Sequence, residues 1–248
     1  MKKGLYILVI TLFFACSSEN ANDCIQASGD IVQERVDVSA FSRILVNRGV
    51  ELILKQDTDF SVVIEAGENL ISDVSARVSG NQLILTDDNT CNYVRDYVST
   101  KVYVSAPDIT EIRSSTQYEI RSDGVLNFTS LSLLSEDFNA PGSYTTGDFR
   151  LSVNLEELRV VTNNLSSQYI DGATETLHIF FASGSGRFEG AELIAEEVII
   201  DHRGSNDMIV NPQQSLTGIL RGTGDLISVN QPAVVDIDQQ YTGKLIFQ

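Results

Sequence analysis

Apolar and polar residues alternate along much of this chain over runs too short for helices. In "RILVNRGVELILKQD", Ile44 and Val46, then Val50, Leu52 and Leu54, recur at every second position, with Arg48-Gly49 between them. "FSVVIEAG", "ARVSGNQLILTD" and "KVYVSAP" continue the pattern up to residue 105. Period-two alternation bounded by Gly, Asn or Asp predicts half-buried strands. Gly49, Gly80-Asn81 and Pro107 mark the turns between them.

Beyond Pro107 the pattern becomes periodic. "LHIFFASGSGRFEG", "VIIDHRGSNDMIV" and "GILRGTGDLISV" each show a strand, a glycine-bearing polar corner and a second strand. "ELRVVTNNLSSQYIDG" fits before them and "VDIDQQYTGKLIF" closes the series, with weaker copies at "EIRSSTQYEIRSDG" and "LSLLSEDFNAPGSY". The corners return about every twenty residues, a period that means stacked rungs in a strand-rich chain. The expected fold is therefore all-β: a β-helix-like solenoid preceded by alternating strands. The glycines of "ASGSGRFEG" fit this reading better than a phosphate loop. A strand pattern follows them instead of a helix, and no Lys-Ser/Thr pair is present.

The N-terminus reads as an address. "MKKGLYILVITLFFAC" has two lysines, an apolar run from Leu5 to Phe14, and Ala15-Cys16. That reads as a signal peptide over 1–15, with "FFAC" resembling a bacterial lipobox and Cys16 as the lipidated residue; the alternative is an ordinary signal peptide with a chance cysteine. Residues 16–35 form a polar tether and 36–248 the head domain. Processing takes the basic count from 17 to 15 against 34 acids, and the formal charge from -17 to -19. Such a balance excludes nucleic acid as a partner, since phosphate binding needs clustered Lys and Arg. The expected partners are the membrane, through the N-terminal lipid, and an envelope protein or a glycan. In an oxidising compartment the two remaining thiols, Cys24 and Cys91, suggest a disulfide; the alternative is two separate buried thiols.

The segments "FSRILVNRGVELILKQD", "VVIEAGENLISDVSARVSGNQLILTDDN" and "LRGTGDLISVNQPAVVDI" resemble the bacterial putative auto-transporter adhesin, head GIN domain family, from about residue 36 to the end. "VNQPAVVDI" stands where many members have Tyr-x-Gly-x-Pro. The resemblance implies a right-handed β-helix-like head on the outer-membrane envelope of a Bacteroidetes-type bacterium, and it assigns no catalytic residues.

No catalytic set emerges from the residues either. His178 and His202 stand about one rung apart and could approach each other, but two histidines do not make a metal site. "RGTGDLIS" is faintly similar to calcium-binding glycine-aspartate repeats, yet the acid is not kept from corner to corner. No metal or other cofactor is expected. The expected function is a non-enzymatic adhesion or envelope-interaction role; the alternative is a carbohydrate-binding or carbohydrate-active β-helix protein, lyase- or hydrolase-like, and glycoside hydrolysis needs paired carboxylates. Asp201, Asp207, Asp225 and Glu189 lie near corners. Glu136, Asp137 and Asp148 lie in "LSEDFNAPGSYTTGDF", the largest break in the repeat, around Pro141-Gly142. Sugar stacking would fall to Tyr93, Tyr97, Tyr118, Tyr144 or Tyr169, since the chain has no Trp.

Overall fold

The structure, a computed structural model, describes residue 24 and residues 26–89, 91–93 and 99–248. The leader, Cys16 and Tyr97 lie outside the described residues. The all-β expectation holds. Among the described residues seventeen strands join in one sheet, and helix is limited to short 3-10 turns such as Ile71–Asp73.

The strands are β1 (Ile31–Val36), β2 (Arg43–Val46), β3 (Val50–Gln56), β4 (Ser61–Gly67), β5 (Val74–Ser79), β6 (Gln82–Asp87), β7 (Thr100–Ala106), β8 (Glu111–Ser114) and β9 (Ile120–Leu126). They continue as β10 (Ser130–Ser135), β11 (Phe149–Thr162), β12 (Gln168–Phe181), β13 (Phe188–His202), β14 (Met208–Leu220), β15 (Leu226–Ser228), β16 (Val234–Gln239) and β17 (Leu245–Phe247).

From β10 onward every pairing is parallel: β10 to β14 lie each on the one before, β15 and β16 both lie on β14, and β17 lies on β15. Leu158 faces Leu177, Leu177 faces Val198, Val198 faces Leu216 and Leu216 faces Val235. These pairs are 19, 21, 18 and 19 residues apart, which is the period of the sequence. Register shifts along β13 absorb the unequal steps.

Parallel stacking puts like residues over like residues. Leu158, Leu177, Val198 and Leu216 form one buried column, and Val160, Ile179 and Ile200 form the next. Between them, outward positions carry Arg159, His178 and Ile199. Each fully buried Leu, Ile or Val contributes roughly 1.5–3 kcal/mol of transfer free energy, so the columns are the main cohesive element.

The strands before residue 107 do not form a separate layer. β2 pairs in parallel with both β6 and β8, and β3 with both β7 and β9. They therefore continue the same stack. At its N-terminal end three antiparallel pairings appear: β1 on β4, β4 on β7 and β5 on β6. The segment read as tether thus becomes a strand at Ile31. The sequence boundary at residue 36 falls at the end of β1. The charged, largely exposed "IVQERV" suits an edge strand that resists further pairing.

The corners explain the glycines. Gly184 has φ of 91°, in the left-handed region, and a Cβ there would run into the Asn164 carbonyl. A Cβ on Gly222 would run into the Gly204 carbonyl. The corners are stacked so closely that the peptide of one layer fills the space of the next layer's side chain.

Candidate functional site: a groove along the stacked corners

The corners lie on one another through backbone hydrogen bonds. Leu165 N donates to Thr145 O at 3.3 Å, Ser185 N to Asn164 O at 2.6 Å, Ser205 N to Gly184 O at 2.8 Å and Gly243 N to Gly222 O at 3.1 Å. Small residues at the tips leave a groove of about 840 Å³ that runs along the stack. Its floor is Gly184, Ser185, Gly204, Ser205, Gly222 and Thr223. Tyr144 stands at one end and Tyr241 at the other, 45% and 64% exposed. Each step of the stack is one strand spacing of about 4.8 Å, which makes the groove on the order of 24 Å long.

Its charge is opposite to that of the chain. Arg203 and Arg221 line it, and no carboxylate does among the described residues. The two arginines occupy the same place in successive layers, because Arg221 N donates to His202 O at 2.7 Å. Both reach the same acid, Asp201, at 3.9 and 3.6 Å, beyond hydrogen-bond range. Arg221 Nε is buried and accepted by nothing among the described residues. Other arginines are held more firmly: Arg113 by Glu136 at 2.6 Å, Arg187 by Glu189 at 2.6 Å, and Arg150 by Glu119 at 3.1 Å with the Tyr169 ring 4.3 Å away. Beside Tyr144 a third guanidinium, Arg48, meets the phenol oxygen at 3.4 Å. Exposed aromatic rings, hydroxyls and loosely held guanidiniums can stack on, hydrogen-bond and charge-pair with a long polar ligand.

The acids proposed for catalysis are otherwise engaged. Glu136 is 1% exposed, pairs with Arg113 and accepts Asn139 N at 2.8 Å. Asp137 accepts Asn163 Nδ2 at 2.6 Å. Asp148 accepts Ser167 N at 2.8 Å, Asp207 accepts Asp225 N at 3.1 Å, and Asp225 accepts Lys244 N at 2.8 Å. These last three repeat one function: a corner acid takes the N–H of the next layer, which the turn leaves unpaired. Glu189 holds Arg187. The break at Pro141-Gly142 does not collect acids into a site; it supplies Ser143 and Tyr144 to the groove wall.

The histidines do not meet. His178 faces outward opposite Ile199, whereas His202 points into the core opposite Phe181 and is 0% exposed. Its ring stands edge-on to Phe181 at 5.8 Å. Nε2 lies 2.9 Å from Asn206 O, and Gly204 N donates to Nδ1 at 3.3 Å. That pattern requires a neutral ring with its proton on Nε2. Burial lowers its pKa below the usual 6.5, against the raising influence of the Asn206 carbonyl, Asp207 and Asp201. The unfolded chain then binds a proton that the folded chain refuses, so stability is full above 6.5 and falls as pH drops toward the lowered folded value. Urea midpoints should fall from pH 7.5 to pH 6 in the wild type, with a smaller fall in His202→Gln; equal slopes in the two proteins would contradict this.

The remaining tyrosines are scattered. Tyr169 sits under Arg150 in a shallower pocket, Tyr93 is 80% exposed near the disulfide, and Tyr118 is half-buried. Cys24 and Cys91 form the expected disulfide, with Cα atoms 4.5 Å apart. No group of three or more His, Cys, Asp or Glu able to hold a metal ion occurs among the described residues. No described helix is long and apolar enough to cross a membrane.

The all-β fold has counterparts among solved structures. A "putative adhesin" from Bacteroides fragilis NCTC 9343 superposes with a TM-score of 0.79 at 16% identity, over 90% of this chain and 99% of its own. A "putative adhesin" from Parabacteroides merdae ATCC 43184 gives 0.64 at 12% identity, over 89% and 97%. A "Putative lipid binding protein" from Parabacteroides distasonis ATCC 8503 gives 0.59 at 14% identity, over 89% and 97%. No curated protein sequence matches the chain. Residues 40–232 match the family "Putative auto-transporter adhesin, head GIN domain", and the chain belongs to that family. Such a family implies association with the cell envelope or cell surface.

Proposed function

We propose that this protein is a non-enzymatic adhesin of the cell envelope that holds a glycan chain along its corner groove. The carrying observation is the groove itself: stacked hydroxyls and glycines between two exposed tyrosines, with no carboxylate in its lining among the described residues. A glycosidase needs two carboxylates across the scissile bond, whereas Asp148, Asp207 and Asp225 each accept an N–H of the next layer and Asp201 lies beside the two arginines. On this reading the stack is a right-handed β-helix-like solenoid with rungs of about twenty residues. It presents the same corner chemistry rung after rung, which suits an extended contact.

The head is carried on an outer-membrane lipoprotein anchor at Cys16, after a leader over 1–15 and a tether that ends where β1 begins. "FFAC" motivates this reading. Cys16→Ser should shift the protein from the membrane fraction to the soluble fraction and abolish incorporation of labelled fatty acid; retention with full labelling would refute it.

The function is tested by incubating the purified protein with a panel of polysaccharides while recording retention and released reducing ends together. Retention without product is expected. Product that accumulates with time and enzyme concentration would move the protein to the carbohydrate-active class. Retention of phospholipid vesicles but of no glycan would favour a lipid ligand, the class named for the Parabacteroides distasonis neighbour.

A further inference from the structure

We infer that the groove selects acidic glycans, with Arg203 and Arg221 reading successive negative charges. This rests on the glycan reading above. Three observations carry it.

The first is a charge reversal. The chain has 34 acidic and 17 basic residues, yet the groove is lined by two arginines and no acid among the described residues. Such a chain repels polyanions in general. A polyanion that binds must therefore be held by local contacts, and the groove is where those contacts exist.

The second is spacing. Arg203 and Arg221 stand one layer apart, about 4.8 Å along the groove axis, and side chains of arginine length can open that distance further. Both carboxylates and sulfates offer paired oxygens that a guanidinium engages through two parallel N–H donors. A run of such groups along one polymer meets the arginines without bending.

The third is availability. Asp201 is shared by both guanidiniums beyond hydrogen-bond range. It fixes their direction from behind the groove and leaves most of their donors free. Arg221 Nε is buried and faces Asp201 Oδ1 at 3.6 Å, so the donors left for a ligand are the terminal guanidinium nitrogens. Tyr144 and Tyr241 then provide apolar faces for the sugar rings at either end, independent of charge. Charge selectivity and ring stacking are thereby assigned to different residues and separate experimentally.

The test uses the full chain, purified in detergent, and four immobilised polymers: polygalacturonate, its carboxyl-reduced form, dextran sulfate and dextran. Retention on polygalacturonate or dextran sulfate should exceed that on the matching neutral polymer by about tenfold or more, the worth of a hydrogen-bonded charge pair. Preference between the two acidic polymers identifies the anion as carboxylate or sulfate. Arg203→Gln and Arg221→Gln should each remove most of that preference, and the double variant all of it. Tyr144→Ala and Tyr241→Ala should weaken acidic and neutral polymers alike. Melting curves equal to wild type confirm that the arginine variants fold. Equal retention of acidic and neutral polymers, or an unaffected double arginine variant, overturns this inference and leaves the glycan reading intact. Retention of none of the four overturns both.

Discussion

Glu136→Ala is expected to destabilise the protein by about 3 kcal/mol, the cost of leaving a buried ion-pair partner uncompensated. Glu136 is 1% exposed, its Oε1 lies 2.6 Å from Arg113 Nη1, and its Oε2 accepts Asn139 N at 2.8 Å. The substitution therefore removes two contacts at once. It frees the turn that leads into Pro141-Gly142 and leaves Arg113, whose side chain is 18% exposed, without its anion. Glu136→Gln keeps the shape and one acceptor oxygen and should cost clearly less. Urea denaturation of the three proteins measures this. An Ala variant as stable as wild type would mean that the carboxylate does not hold the turn, and would restore Glu136 as a catalytic candidate.

Loss of the Cys24–Cys91 disulfide is expected to cost about 4 kcal/mol on the chain-entropy model. The bond closes a loop with a sequence separation of 67 residues and lies at the N-terminal end of the stack. It is not alone there. Tyr93 N donates to Cys24 O at 2.9 Å, Gln26 Nε2 to Asn69 O at 2.7 Å and Asn69 Nδ2 to Ala27 O at 3.0 Å. These contacts fasten the chain ahead of β1, and β1 covers β4. A Cys91→Ser variant should show a lower urea midpoint, with its fastest-exchanging strand amides in β1. In the wild type both cysteines should alkylate only after reduction. Alkylation of both in the folded, unreduced protein, with no change in midpoint in the variant, would contradict the assignment.

The second half of the fold could be read from the sequence because parallel stacking imposes its period on the chain. Leu177, Val198 and Leu216 must recur at nearly equal intervals to share a column, and Gly184 and Gly222 must recur to let the corners close. The first half carries no such period. Arg43 faces Gln82 and Glu111, partners 39 and 68 residues away. Alternation predicts the strands there but not their neighbours.

The groove is only partly legible in the sequence. Tyr144 is one of the candidate tyrosines, and the glycines around Gly184 mark a corner. Arg203, Arg221 and Tyr241 carry no catalytic signature, since acid–base chemistry points to acids and histidines. A signal was present: "HRGSND" and "LRGTGD" repeat an Arg-Gly pair at the same place in successive units. Conversely, the corner acids looked like chemistry because a carboxylate that caps an N–H in the next layer has the same sequence appearance as one that faces solvent.

The proposed ligand site is the row of stacked corners between Tyr144 and Tyr241. The most direct measurement is a crystal structure of the protein with an acidic oligosaccharide long enough to reach from Tyr144 to Tyr241. The sugar chain should lie lengthwise over Ser185, Ser205 and Thr223, with acidic groups on Arg203 and Arg221. A well-ordered oligosaccharide bound elsewhere, over Arg150 and Tyr169 or along the outward face at His178, with an empty corner groove, would contradict it.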